Sequence, residues 1–180
     1  MEFLSKRLSF RTFTFADISQ EYIDWLNDAK VNKYLETRHV EQTRQSCEVY
    51  VKSTEADPNS HFFAVCERAT ARHIGNVKIG FINPTYKHGQ LSFFIGDKSA
   101  WGKGFATEIV GAMTEFGFTQ LGLEKIEAGC YQQNLAAVNV FLKNNYAIEG
   151  FIRGKVVVDG RRSGVVSLGI LRHEMGSPSK

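Results

Sequence analysis

The hydrophobic period of the chain changes twice between residues 61 and 131, and this constrains the fold more than any other feature. The runs His61–Glu67, Ile74–Ile82 and Gln90–Gly96 read as strands, separated by turn-rich stretches at Ala69–His73 and from Asn83-Pro84 to Gly89. From Gly104 the spacing becomes helical, with Ala106, Ile109, Val110, Met113, Phe116 and Gly117 on one face until Gly122 stops it. Lys125–Tyr131 then reads as a strand again. Strand, helix and strand in succession imply a parallel pair joined by a right-handed crossover, whereas the three runs before the helix read as an antiparallel meander. The fold class is therefore α+β, a mixed and mostly antiparallel sheet flanked by helices.

The flanking segments extend this pattern. Leu8–Phe13 reads as a strand, followed by a helix capped by Asp17 with Ile18, Tyr22, Trp25 and Leu26 on one face and an end at Asn27-Asp28. A short helical piece holds Val31, Tyr34 and Leu35, and a longer one, Glu41–Thr54, buries Cys47, Tyr50 and Val51. Beyond the crossover, Leu135–Lys143 reads as a helix, and Ile148–Val158 with Val165–Arg172 as a hairpin around Asp159-Gly160. A length of 180 residues suits one domain spanning 1–180. With 43% hydrophobic and 23% charged residues, the chain is neither disordered, collagen-like nor a coiled coil.

Charge and cysteine content exclude further classes. The formal charge of +3 is small and its basic residues do not cluster, the longest runs being Lys6-Arg7 and Arg161-Arg162, so no nucleic-acid partner is expected. Neither a signal peptide nor an apolar run of about 18 residues is present, which points to the cytosol and away from membranes. Cys47, Cys66 and Cys130 form no CxxC pair and read as reduced, buried apolar side chains. No metal site is expected.

Chemistry concentrates at Trp101-Gly102-Lys103-Gly104-Phe105-Ala106-Thr107-Glu108, between a strand and the strongest helix. Glycines at 102 and 104 let a ligand approach the backbone, and the opening N–H groups of the helix lack helical acceptors where its dipole is positive. The combination suits a phosphate or diphosphate. It is no P-loop, because Trp101 stands where the second glycine should be and Gly104 replaces the hydroxyl residue. Nor is it a dinucleotide fingerprint, because Thr107 takes the third glycine position and the preceding strand belongs to a meander. Without a ligand, the same glycines would simply form a tight turn into a helix.

Over a longer stretch, FFIGDKSAWGKGFATEIVGAMTEFGF followed by LEKIEAGCYQQNLAAVNVFLKNNYAIEG resembles the acetyl-CoA-binding core of the GNAT acetyltransferases, in the branch similar to ribosomal-protein-alanine N-acetyltransferases. The resemblance implies a sheet whose parallel strands splay apart and an acetyl-CoA core over 88–146. The diphosphate would lie on the amides of Gly102, Lys103, Gly104, Phe105, Ala106 and Thr107 beside Trp101, and the pantetheine would pair with Phe94, Ile95 and Gly96. The Ile95 amide is the expected donor to the oxyanion formed when an amine attacks the thioester. Asn134 would tie cofactor to scaffold, and Asn139 or Lys143 would sit near its phosphates.

The acid and base are less regular. Where the family often carries a glutamate base and a tyrosine acid, this sequence has Gln90 and Phe141. Glu36, His39, His61 and Tyr131 are the substitutes it offers. Acceptor elements are expected mainly in 15–60 and 150–172. The stretch from Tyr22 to Glu36 resembles GNAT enzymes acting on nucleotide-linked amino sugars, and Arg38, Arg44, Lys87, Arg153, Lys155, Arg161 and Arg162 are candidates to hold such a diphosphate. The acceptor expected first is thus a nucleotide sugar; the alternatives are a protein N-terminus, a polyamine or antibiotic, or a non-catalytic acyl-CoA-binding regulatory role. A homodimer is compatible with the sequence but not required by it.

Overall fold

Strand pairing bears out the mixed sheet. In the computed structural model, which describes residues 1–176, one eight-stranded sheet has the order β1-β2-β3-β4-β5-β6-β8-β7. The strands are β1 Glu2–Leu4, β2 Leu8–Thr12, β3 His61–Glu67, β4 His73–Asn83, β5 His88–Ile95, β6 Lys125–Tyr131, β7 Ala147–Val158 and β8 Arg161–Leu171. The helices are α1 Gln20–Asn27, α2 Arg44–Ala56, α3 Phe105–Thr119 and α4 Leu135–Leu142. Neighbouring strands run antiparallel except β5 and β6, the pair that α3 connects.

Two apolar clusters lie on opposite faces of the sheet. One gathers α3 and α4 residues such as Ile109, Met113 and Phe141 against Val77, Ile79, Leu91, Ile126 and Leu168. The other seats Tyr22, Trp25 and Leu26 of α1 and Cys47 and Val51 of α2 against Ala64 and Cys66. All three cysteines are buried and free. No described helix is long and apolar enough to cross a membrane.

Local chemistry moved several boundaries. Ser19, not Asp17, caps α1 by accepting from the Tyr22 N–H at 3.1 Å. The Asp17 carboxylate instead accepts from the Thr14 N–H at 2.8 Å and pairs with Arg11, so Ile18 packs in the core from outside the helix. The piece expected around Val31–Leu35 is a turn leading into a 3-10 segment, Glu36–His39. Tyr50 of α2, expected inside, is 41% exposed at a cavity rim. The first strand, β1, has one inward side chain, Phe3, stacked between Phe10 and Phe116 at centroid distances of 4.6 and 4.7 Å. The last hairpin turns at Asp159 and Gly160, both with positive φ (49° and 75°), the backbone of a two-residue primed turn.

Parallel pairing of β5 with β6 lasts only from His88↔Lys125 to Gln90↔Glu127. Beyond it β5 stays on β4 up to Ile95, while β6 stays on β8 up to Tyr131. The two strands part there and leave a gap in the sheet.

Candidate active site

The loop expected to cradle the diphosphate follows the end of β5. Trp101 Nε1 donates to the Ile95 carbonyl at 2.9 Å and folds the loop back over the strand. Gly102 and Gly104 follow with φ of +73° and +79°, a region that side chains disfavour. Gly104 is the residue from which α3 starts, and the first N–H to bond back is that of Glu108, to the Gly104 carbonyl at 3.3 Å. The amides of Phe105, Ala106 and Thr107 therefore open the helix as donors without a helical acceptor, at the positive end of its dipole. No heavy atom lies within 4 Å of the position a Gly102 Cβ would take. Loop conformation, open space and oriented donors together fit a diphosphate.

Backbone parity selects the amides that face the gap. The Gly96 N–H donates to Ile74 of β4 at 2.9 Å, and at the other end of β5 the Lys87 carbonyl accepts from Lys125 of β6 at 3.3 Å. Peptide groups alternate along a strand, so odd-numbered residues of β5 face β6 and even-numbered ones face β4. Past Gln90 this turns the amides of Phe93 and Ile95 into the gap. Phe94 and Gly96 are corrected on this point: their N–H groups belong to the β4 ladder. Gly96 is a glycine for another reason, since a Cβ there would stand 2.1 Å from the Trp25 indole.

On the α1 and α2 side, the gap opens into a cavity of about 630 Å³. Its floor carries Gln90, Ser92 and Phe94 of β5 and Gly129 and Tyr131 of β6; Tyr34, Tyr50, Phe62 and Phe81 add aromatic walls. At one end the Tyr131 hydroxyl donates to Glu36 Oε1 and accepts from the Arg38 guanidinium at 3.0 Å, which also donates to the Val157 carbonyl at 3.1 Å. Burial and the Glu36 carboxylate push the Tyr131 phenol up, against the opposing Arg38 charge, so Tyr131 stays protonated at neutral pH. The Glu36 side chain is 74% exposed, open to water for proton exchange. Burial pushes the Cys130 thiol up to about 12 and raises Cys47, which leaves both without thiolate character.

The acetyltransferase (GNAT) domain family pattern matches residues 7–146. The chain belongs to the GNAT acetyltransferase family. The protein called uncharacterized N-acetyltransferase p20 of Bacillus licheniformis is 26% identical over 162 residues, 88% of each chain. Spermidine N(1)-acetyltransferase of Escherichia coli K12 is 23% identical over 148 residues, 82% of this chain and 77% of that one. Among solved structures, a spermidine N-acetyltransferase from Vibrio cholerae in complex with CoA and spermine superimposes with a TM-score of 0.85 at 22% identity, covering 94% of this chain and 98% of that one.

Within this GNAT domain, Glu36 and Tyr131, 95 residues apart, meet in one hydrogen bond. His61 does not join them. It lies on the opposite face of β3, its ring 6.3 Å from Phe116, and burial holds its imidazole below the ordinary value. His39 sits 3.7 Å from Glu36 but points to the outer surface. Asn134 caps α4 by accepting from the Ala137 N–H at 3.3 Å, while Asn139 and Lys143 are exposed on that helix and its end. Phe141 is core, packed on Phe93 and Tyr146 at 5.9 and 5.0 Å. Of the cations expected to hold a nucleotide, Lys155 lines the cavity and Arg38 ties its end together; Arg44, Lys87, Arg153, Arg161 and Arg162 are not among its lining residues.

Two residues that the sequence reading missed sit at the site. Lys78 of β4 lines the cavity with its ammonium 2.9 Å from the Tyr50 hydroxyl. Arg7, just before β2, donates to Glu108 through Nε at 2.7 Å and to the Lys103 carbonyl at 2.9 Å, and its guanidinium lies 4.4 Å over the Phe105 ring. Neither contact has a signature in local spacing, because both partners come from distant elements.

Proposed function

We propose that this GNAT domain transfers the acetyl group of acetyl-CoA directly to a small primary amine held in the cavity between α1, α2 and the sheet. The supporting observation is the convergence of three parts on one gap: the anion cradle at the start of α3, the inward amides of Phe93 and Ile95, and the Glu36–Tyr131 pair. The existence of small-amine acetyltransferases among the relatives and of a CoA-bound structure of the same fold agrees with this reading.

Acetyl-CoA supplies an activated thioester, whose carbon–sulfur bond breaks as the nitrogen–carbon bond forms. The Ile95 N–H then faces the oxygen on which negative charge builds, and a fixed donor of this kind is worth about 3 kcal/mol. Glu36, directly or through water, takes the proton that the ammonium must lose. That first proton leaves to solvent; the second, shed by the nitrogen as the amide forms, passes through Glu36 or water to the departing thiolate, while Tyr131 stays protonated and holds Glu36 at the wall of the gap. A covalent enzyme intermediate is unnecessary, since the Cys47 and Cys130 thiols are raised by burial. Within the amine class, spermidine and nucleotide-linked amino sugars are both candidates.

The test is thiol release from acetyl-CoA with amine panels spanning polyamines, amino-sugar nucleotides and N-terminal peptides. Glu36→Gln should lower kcat at neutral pH by about 100-fold, and Tyr131→Phe by about tenfold, with the KM for acetyl-CoA unchanged. Thiol release by no amine, with CoA still bound, would instead favour the acyl-CoA-binding regulatory role.

A further inference from the structure

We infer that the acceptor is a small primary amine with a ring-shaped body and an anionic group, a phosphate or a carboxylate, rather than a polycation. The inference deepens the proposed function and rests on it. Its first support is the charge of the cavity. Glu36 is the one carboxylate among the described residues lining it, against two ammonium groups, Lys78 and Lys155. Glu36 is already engaged by Tyr131, with Arg38 at 4.0 Å and His39 at 3.7 Å. Lys78 and Lys155 take part in no ion pair among the described residues. A polyamine would bring several positive charges to this rim and meet like charge without a further carboxylate, whereas an anion would give Lys78 or Lys155 the partner it lacks.

The second support is shape. Phe81, in the irregular stretch of β4 between Gly80 and Asn83, is 74% exposed at the cavity wall and has φ +52°, a strained conformation for an aromatic residue. The Lys78 ammonium lies 5.6 Å from the Phe81 ring and 5.2 Å from the Tyr50 ring. Two exposed aromatic faces flanking a cation suit a flat or ring-shaped body with an anion at its edge. Lys78 and Phe81 thus describe one ligand, with its anion near Lys78 and its amine toward Glu36.

The experiment measures kcat/KM for three arms under one acetyl-CoA concentration: ring amines bearing phosphate, including amino-sugar nucleotides; amino acids with ring side chains; and spermidine. Wild-type protein should favour one of the two anionic arms over spermidine by at least about tenfold, and which arm wins identifies phosphate or carboxylate as the group held. Lys78→Gln and Lys155→Gln should each raise the KM of the preferred anionic amine by about threefold and together by about tenfold, with acetyl-CoA KM unchanged. Lys78→Glu/Lys155→Glu should shift preference toward spermidine. If spermidine outperforms every anionic amine on the wild-type protein, or if the lysine variants leave the anionic KM unchanged, the inference is overturned while transferase activity stands. Thiol release with none of the three arms would instead count against the proposed function itself, and CoA binding followed by calorimetry separates that outcome from misfolding.

Discussion

Arg7 bears on the proposed diphosphate site through its contacts with Glu108 and Lys103. Glu108 lies in the first turn of α3, where a free carboxylate would share the helix end with an incoming diphosphate and repel it. Burial works against that carboxylate, but the Arg7 amide at 2.6 Å, the Ser5 hydroxyl at 2.7 Å and the Arg7 guanidinium outweigh it and hold it below the ordinary range. Arg7→Ala should therefore raise the acetyl-CoA KM by about tenfold and leave the amine KM alone, because the pair is only partly screened from water. Adding Glu108→Gln should restore most of the loss; absence of rescue would make Arg7 a purely structural strut. The same pair gives stability a pH dependence. A carboxyl whose folded value is depressed contributes fully above its unfolded value, about 4.3, and loses that contribution as pH falls through the folded one. Wild type should thus exceed Glu108→Gln in urea midpoint at pH 7, and the two should converge as pH falls below the ordinary carboxylate range.

Among the elements, the loop into α3 carries the largest share of the proposed function for its length. Gly104 has φ +79° and stands 3.7 Å, at its would-be Cβ, from Arg7 Nη2. Gly104→Val should weaken CoA binding by at least about tenfold, read as the quench of the half-exposed Trp101, with a stability loss of about 1–3 kcal/mol from the backbone conformation alone. Full affinity in that variant would remove the diphosphate from this loop. This helix was legible in the sequence because its apolar period and bounding glycines are local signals. So was the crossover it makes. By contrast, β1 is three residues long with one inward side chain, too short to show alternation. Ser19 and Asp17 are both competent caps, and the contacts of the Asp17 carboxylate with Arg11 and the Thr14 N–H decide between them. His61 was placed on the acceptor side because nothing in a strand's own sequence says which of its two faces meets which helix layer. Lys78 reads as one polar residue in an apolar run, and its place at the cavity depends on Tyr50 of α2, which comes from outside that run.

For the molecule as a whole, the parting of β5 from β6 does not split the core. Leu8, Phe63 and Ile79 from one side of the gap and Ile126, Leu168 and Ile170 from the other belong to a single buried cluster beneath α3. Ile126 is fully buried and presses its Cδ1 to 2.6 Å from where a Cβ on Gly117 would be. Ile126→Ala should cost about 2–5 kcal/mol and still unfold in one transition, with tryptophan emission and far-ultraviolet dichroism coincident. Separate transitions would mean that the two halves of the sheet fold independently. The gap itself is bounded by α3 and its glycine loop on one face and by the aromatic cavity on the other. In the proposed reaction it works as a window in a wall, with a visitor on each side of the glass-less frame. Neither visitor blocks the doorway of the other, so arrival in either order is open, and initial-rate plots for the two should intersect instead of running parallel.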